Sequence, residues 1–357
     1  MILPLLMLSF ALAPPQIDVF RGGADGYFAY RIPALLVSAK GTLLAFCEGR
    51  RDSRSDSGNI DVLLKRSTDG GRTWSSAITV ADFGTDTVGN PAPVVDRSTG
   101  YIWLLLTRNP GVVTESDILS GNKRGTRTVW VTHSADDGLT WAKPEEITRA
   151  VKQPEWTWYA TGPGNGIQLR SGRMVIACDH NRGDETQRYS HVIYSDDHGK
   201  TWKLGGSAGP MCNESTIAEL PDGSLLLNMR SYHGRNRRYV SVSRDAGLTF
   251  SEPVPDEALI EPVCQASLLR VGKGKNTMLL FSNPASTKRE NMTVRLSTDQ
   301  GKTWIASKVI HAGPSAYSNL TELKSGEIGL LYERGEKSPY EAITFVRFPL
   351  KWLKKSN

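Results

Sequence analysis

The sequence predicts an all-β fold, a six-bladed β-propeller. Three observations lead there. One pattern, S-x-D-x-G-x-T-[WF], occurs five times, at Ser67–Trp74, Ser134–Trp141, Ser195–Trp202, Ser243–Phe250 and Ser297–Trp304. It recurs about every 50 to 65 residues, the period of a blade or a solenoid unit. The segments between copies are short apolar runs bounded by Gly, Pro, Asp or Ser, and none has helical periodicity. At about 50 to 60 residues per four-stranded blade, 357 residues give roughly six blades.

In chain order, the first thirteen residues, Met1 to Ala13, are apolar and end in Ala-Leu-Ala. They read as the apolar region and cleavage site of a signal peptide, without the usual charged start, and are too short to span a bilayer. The expectation is a secreted or periplasmic protein, or a cytoplasmic one if the segment is a mis-assigned start or a packed strand. Residues 14 to 357 show no linker, low-complexity run or composition break, which predicts one domain. Strands are expected at Ala34–Val37, Thr42–Phe46, Ile60–Leu64, Ile102–Leu106, Met174–Ala177, Leu225–Asn228, Met278–Phe281 and Ile328–Tyr332. The sixth blade would combine the start of the chain with its end near Thr344–Pro349. Each S-x-D-x-G-x-T-[WF] copy reads as a hairpin turn. Its Asp accepts from backbone N–H groups two or three residues on, its Gly supplies a left-handed backbone, and its Trp or Phe fills the core. Arg170-Ser-Gly-Arg, Pro221-Asp-Gly-Ser and Lys324-Ser-Gly-Glu mark a second set of hairpins.

The formal charge is +6, which fits an anionic ligand. No Lys/Arg run is interleaved with aromatics, so nucleic acid is not expected as a partner. Cys47, Cys178, Cys212 and Cys264 have no metal-ligand spacing, and neither metal nor cofactor is expected. Cys47 and Cys178 read as buried thiols, with a disulfide left open. The chain is expected to act as a monomer.

Charged residues in apolar strands are expensive, and Arg31, Arg230 and Arg289 lie in or beside such strands. They are either three separate salt bridges or a convergent set that binds an anion, most naturally a carboxylate. The chain resembles, over nearly its whole length, the exo-sialidases (neuraminidases) of bacterial and animal type, six-bladed propellers that carry Asp boxes. Tyr30-Arg-Ile-Pro33 is similar to their opening Phe-Arg-Ile-Pro motif, with Tyr30 in place of Phe. Further matching segments are Glu48-Gly-Arg50, Arg54–Asp61, Val88–Pro93, Asn213–Leu220 with Asn228-Met-Arg230, Arg289–Arg295, Ala316–Leu320 and Leu331-Tyr-Glu-Arg334.

The resemblance implies a retaining exo-α-sialidase acting on sialylated glycans. It puts the acid/base at Asp56, the Tyr nucleophile at Tyr317 and its base at Glu214. It puts the carboxylate-binding triad at Arg31, Arg230 and Arg289, with Glu333 orienting Arg31. Arg50 would line the pocket and Asn90 the N-acyl side. The chemistry is coherent: a carboxylate nucleophile would meet the like charge on the anomeric carbon of a sialic acid, and a tyrosine does not. Alternatives stay open at this point. Asp52 or Asp61 competes with Asp56, and Glu219 with Glu214. Tyr317 competes with a purely packing role and Asn90 with a turn role. Asp179 and His180 are read as structural before they are read as facing the glycerol tail, and Trp156 and Trp158 are read as packing. A sialic-acid lectin, a structural propeller and a trans-sialidase are the rival functions.

Overall fold

The computed structural model describes residues 14–121, 125–183 and 186–354. Segment 1–13, read above as a signal peptide, lies outside the described residues. The described chain is all-β, with α-helices only at Glu115–Leu119, Thr148–Val151 and Leu350–Lys354. The sequence reading named none of these helices, because four or five residues are too few to show a 3.6-residue period. Among the described residues no helix is long and apolar enough to cross a membrane.

Strands pair antiparallel with their sequence neighbours. Ala29–Val37 leads Leu43–Arg50, Ile60–Ser67 and Ile78–Ala81. Thr87–Val95 leads Ile102–Asn109, Thr128–Ser134 and Glu145–Glu146. Trp156–Thr161 leads Met174–Arg182, Arg188–Ser195 and Lys203–Ala208. Cys212–Glu219 leads Leu225–Ser231, Arg237–Ser243 and Val254–Ile260. Ser267–Val271 leads Met278–Pro284, Glu290–Ser297 and the first half of the long strand Ala306–Glu322. The second half of that strand leads Glu327–Arg334 and Ala342–Pro349, and the latter takes Gln16–Arg21 as its outer neighbour.

Hydrogen bonds tie each group to the next and the last to the first. Asn90 N donates to Glu48 Oε1 at 2.9 Å, Thr161 Oγ1 to Asn90 O at 2.7 Å, and Ser190 Oγ to Asn213 O. Leu268 N donates to Thr216 Oγ1 at 3.1 Å, Leu320 N to Ser267 Oγ at 3.0 Å, and Leu35 N to Asn319 Oδ1 at 2.6 Å. The repeated eight-residue turns pack between groups. Trp141 meets Phe46 at 5.7 Å between ring centroids, and Trp74 meets Phe345 at 5.4 Å.

The turns share one hydrogen-bond plan. In Ser134–Trp141, Ser134 Oγ donates to Asp136 Oδ1 and accepts from Gly138 N, both at 2.8 Å. Asp136 then accepts from Leu139 N, Thr140 N and Thr140 Oγ1 at 3.1, 2.9 and 2.5 Å. The acceptor therefore reaches three and four residues on, rather than two or three, because Gly138 in the left-handed region carries the chain around the carboxylate. All four cysteines are buried free thiols.

Five leading strands carry a one-residue bulge at the same level. Two residues oppose one between Arg31 and Ala34, Gly89 and Ala92, Trp156 and Tyr159, Cys212 and Ser215, and Ser315 and Ser318. A bulge frees a residue from the ladder and re-aims its side chain. Arg31, Asn90, Glu214 and Tyr317 sit on or at the edge of these bulges. Backbone strain gathers here as well. Ile32 and Val263 have φ of 61° and 54°, in the left-handed region that β-branched residues avoid at a cost of roughly 1–3 kcal/mol.

Candidate active site

The bulged strand ends surround one polar cavity, which brings together Arg31, Arg50, Asp56, Asn90, Glu214, Arg230, Arg289 and Tyr317. At its centre is Tyr317. Its Oη donates to Glu214 Oε1 at 2.5 Å, and Arg230 Nη1 reaches both Glu214 Oε2 at 2.6 Å and Tyr317 Oη at 3.2 Å. The guanidiniums of Arg31 and Arg289 lie 5.1 and 5.6 Å from the Tyr317 ring centroid. Burial and the Glu214 carboxylate hold the Tyr317 hydroxyl well above the ordinary tyrosine range, against the pull of Arg230 and Arg289. The hydroxyl therefore carries its proton, with an acceptor already in hydrogen-bond contact.

The three arginines are held differently. Arg31 Nε and Nη2 donate to Glu333 Oε1 and Oε2 at 2.8 and 3.4 Å. The same carboxylate accepts from the backbone N–H of Ile32 at 2.8 Å and of Tyr317 at 3.1 Å, so Glu333 touches Arg31 and Tyr317 at once without lining the cavity. Arg230 pairs with Glu214 and donates Nη2 to Tyr232 Oη at 2.6 Å. Arg289 donates to Tyr340 Oη at 2.8 Å and to Val263 O at 3.4 Å, and has no carboxylate partner among the described residues. The buried pair Arg238–Glu261, at 2.8 Å, braces the loop behind it by taking Cys264 O on Arg238 Nη1. The Cys264 thiol packs beside Tyr317, and burial pushes its pKa up to about 11.

Across from Tyr317, Asp56 stands at the mouth with its side chain 71% exposed. Its Oδ1 is 2.7 Å from Arg50 Nη2 and 3.8 Å from Arg31 Nη1. Crowding at the mouth works to raise its pKa, but the guanidiniums of Arg50 and Arg31 outweigh it and hold the carboxyl below its ordinary value. Arg50 is fixed by Glu48 Oε2 at 2.7 Å and by Arg54 O at 2.6 Å. Glu48 Oε1 meanwhile accepts from Asn90 N. A β-carbon on Gly89 would overlap that oxygen, which is why a glycine precedes Asn90.

The competing residues lie elsewhere. Asp61 is buried against Tyr27 and Arg51, at 2.6 and 2.7 Å. Asp52 lines a separate shallow depression with Ser53 and Ser55. Glu219 binds Arg170 in a different cavity. His180 is stacked on Trp156, 3.4 Å between centroids, beside His191. Burial lowers the pKa of both histidines, His191 to about 3.

The lining residues outside the set expected from sequence include Arg127, Trp158, Asp179 and Tyr232. Trp158, read as packing, forms part of the wall, with the Arg127 guanidinium 4.1 Å from its ring centroid. Asp179 is fully buried and accepts from Asn213 Nδ2 at 2.9 Å. Burial, with the charges of Glu214 and Glu115, keeps its pKa well above the carboxylate range. Arg127 had a legible signal, a cation at the start of the apolar strand Thr128–Ser134, which is the same logic that singled out Arg31.

The profile of the BNR repeat-like domain matches residues 41–330. A sialidase of Micromonospora viridifaciens is 35% identical over 94% of this chain and 54% of its own length, so the chain spans about half of that relative. An exo-alpha-sialidase of Aspergillus fumigatus is 34% identical over 92% of this chain and 86% of its own. Among solved structures, the Hadza microbial sialidase Hz136 superposes with a TM-score of 0.87 at 35% identity, over 95% of this chain and 69% of that one. On these matches the chain belongs to the BNR-repeat sialidase family.

Proposed function

We propose that the protein is a retaining exo-α-sialidase that releases terminal α-linked sialic acids from glycoproteins, glycolipids or oligosaccharides through a tyrosyl intermediate. The strand groups are then six blades of a propeller and the repeated turns its five Asp boxes. One observation carries the reading: a buried tyrosine whose hydroxyl already donates to a carboxylate, with a guanidinium bridging the two. A lectin needs the cations alone, and this pairing favours a catalyst.

In this reading the substrate carboxylate lies on Arg31, Arg230 and Arg289, and Arg289 supplies the cation without a carboxylate of its own. Tyr317 Oη attacks the anomeric carbon as Glu214 takes its proton. The bond to the glycosidic oxygen breaks, and Asp56 protonates that oxygen as it leaves. Asp56 then takes a proton from water, whose oxygen attacks the same carbon, and the bond from that carbon to Tyr317 Oη breaks as Glu214 returns the proton to Oη. Two inversions give retention. The arginines keep the substrate charge paired as the oxocarbenium-like transition state forms. Asp56 is ionised in the empty site. A bound substrate screens it from water and draws Arg31 to its own carboxylate, and both effects raise its pKa toward the acid role. Glu333, Arg50 and Asn90 position these groups.

The test is proton NMR of sialyl-lactose hydrolysis. Release of the α-anomer first, followed by mutarotation, is expected. No release, or the β-anomer first, overturns the reading.

A further inference from the structure

Tyr340 lies outside the cavity lining yet touches two of the three arginines. Its Oη accepts from Arg289 Nη1 at 2.8 Å, and the Arg31 guanidinium lies over its ring, 4.2 Å from the centroid. Among the described residues no other side chain accepts a hydrogen bond from Arg289, whose remaining acceptor is Val263 O at 3.4 Å. The Tyr340 ring is half-buried and packs against the group formed by Ile32, Cys264, Ala316 and Tyr317.

The loop that carries Tyr340 closes on itself. It joins the strands Glu327–Arg334 and Ala342–Pro349. The Glu341 carboxylate accepts from Glu336 N, Lys337 N and Ser338 N at 3.1, 2.9 and 2.9 Å. A β-carbon on Gly335 would overlap Ser338 O, so a glycine is needed for the chain to turn this tightly. Tyr340 N donates to Ser338 Oγ at 3.4 Å. The tyrosine is therefore presented to the arginines by a braced turn.

The kind of acceptor matters. Guanidiniums gathered around one anion repel each other. A carboxylate relieves that repulsion, as Glu333 does for Arg31 and Glu214 for Arg230, but it also neutralises the cation and competes with an incoming carboxylate. A phenol orients Arg289 through a neutral oxygen and leaves its charge for the ligand. The negative face of the same ring steadies Arg31.

Resting on the sialidase reading, we propose that Tyr340 is a positioning residue: by accepting from Arg289 and stacking against Arg31, it sets the two guanidiniums for one substrate carboxylate without neutralising Arg289.

The test compares Tyr340→Phe, which keeps the ring and removes the acceptor, with Tyr340→Leu, which removes both. The probes are a 2,3-unsaturated sialic acid, its C1 carboxamide and a 4-methylumbelliferyl α-sialoside, with melting temperature as the control for folding. Tyr340→Phe should weaken the acid by about tenfold, the usual scale for a lost hydrogen bond to a charged group, and leave the carboxamide nearly unchanged. KM for the glycoside should rise by a similar factor while kcat falls less, because the arginines hold the carboxylate in the ground state as well as in the transition state. Tyr340→Leu should weaken the acid further, because Arg31 then loses the ring. Unchanged acid affinity in Tyr340→Phe, or equal losses for acid and carboxamide, overturns the proposal and leaves the sialidase reading standing. Tyr340→Leu no weaker than Tyr340→Phe overturns the role of the ring. If Tyr340→Leu does not fold, Tyr340→Phe alone decides. If wild type neither binds the acid nor cleaves the glycoside, the sialidase reading falls and the proposal with it.

Discussion

Replacing Glu333 by Gln changes one oxygen for an NH₂ and one charge for none, with the shape kept. The wild-type carboxylate accepts four hydrogen bonds, two from Arg31 and one each from the backbone of Ile32 and Tyr317. If the amide oxygen keeps Arg31 Nε and Ile32 N, the NH₂ faces Tyr317 N and Arg31 Nη2, two donors against a donor. The flipped amide is worse, because it faces the two shortest bonds. Glu333 is fully buried, so no water replaces what is lost. Arg31 keeps only the exposed Asp56, at 3.8 Å. Removing one partner of a buried pair costs about 3–5 kcal/mol, and that range is expected in denaturant unfolding at pH 7. Because the same carboxylate fixes the backbone of Tyr317, kcat/KM on a sialoside should fall about 10²-fold as well, the usual cost of a small misplacement of a reacting group. Both are measured on one preparation. A variant with near-wild-type unfolding free energy and near-wild-type kcat/KM would refute the argument that this carboxylate organises the site.

Tyr317→Phe should lose most turnover on sialyl-lactose but keep much of its affinity for a carboxylate-bearing inhibitor, since the arginines supply ground-state binding; near-wild-type kcat would remove Tyr317 from the mechanism. Asp56→Ala should slow sialyl-lactose cleavage by about 10²–10⁴-fold and a nitrophenyl sialoside much less, because a phenolate needs little protonation on leaving; equal losses on both would move the acid elsewhere. Glu214→Gln should lower the Tyr317 pKa, since the carboxylate helps to raise it while Arg230 and Arg289 lower it; ultraviolet difference titration, with Tyr317→Phe/Glu214→Gln as the blank, reads the shift, and a pKa above wild type contradicts the electrostatic account. Asp136 is drawn down to about 2 by hydrogen bonds from the Thr140 side chain and backbone, from an unfolded value of about 3.9. Its stabilisation is therefore full above the unfolded value and fades as pH falls toward 2, so the gap in melting temperature between wild type and Asp136→Asn should be open at pH 7 and close across that window; a gap independent of pH would speak against it.

What was legible in the sequence was what is local or motif-borne. Ser134, Asp136, Gly138 and Thr140 make their turn from eight consecutive residues, so the pattern alone exposed it. Arg31, Glu214 and Tyr317 were found through short segments that resemble a family, and the structure brings them into one cavity. Spacing to Arg230 favoured Glu214 over Glu219, whereas the loop acids Asp52, Asp56 and Asp61 lie too close together for spacing to choose among them; in the structure Asp56 and Glu214 line the cavity, and Asp52, Asp61 and Glu219 do not. Bulges escaped notice because register belongs to two strands, and a single strand such as Ala29–Val37 shows no sign of its slip. Arg127 carried the same signal as Arg31, a cation at the start of an apolar strand, but no motif accompanied it, and the cavity shows it buried in the lining.

The long-range pairing has a consequence in time. Gln16–Arg21 pairs with Ala342–Pro349, and Arg31 is held by a carboxylate 302 residues later in sequence. At about 5–20 residues per second, a ribosome takes roughly 15–60 s to travel from Arg31 to Glu333. Through that interval the first arginine of the site exists without its counter-ion, and the outer edge that Gln16–Arg21 will cover has not been made. Assembly of the cavity is thus deferred until nearly all of the chain has emerged, and a product arrested before Glu333 lacks the carboxylate that holds Arg31 and the backbone of Tyr317 in place.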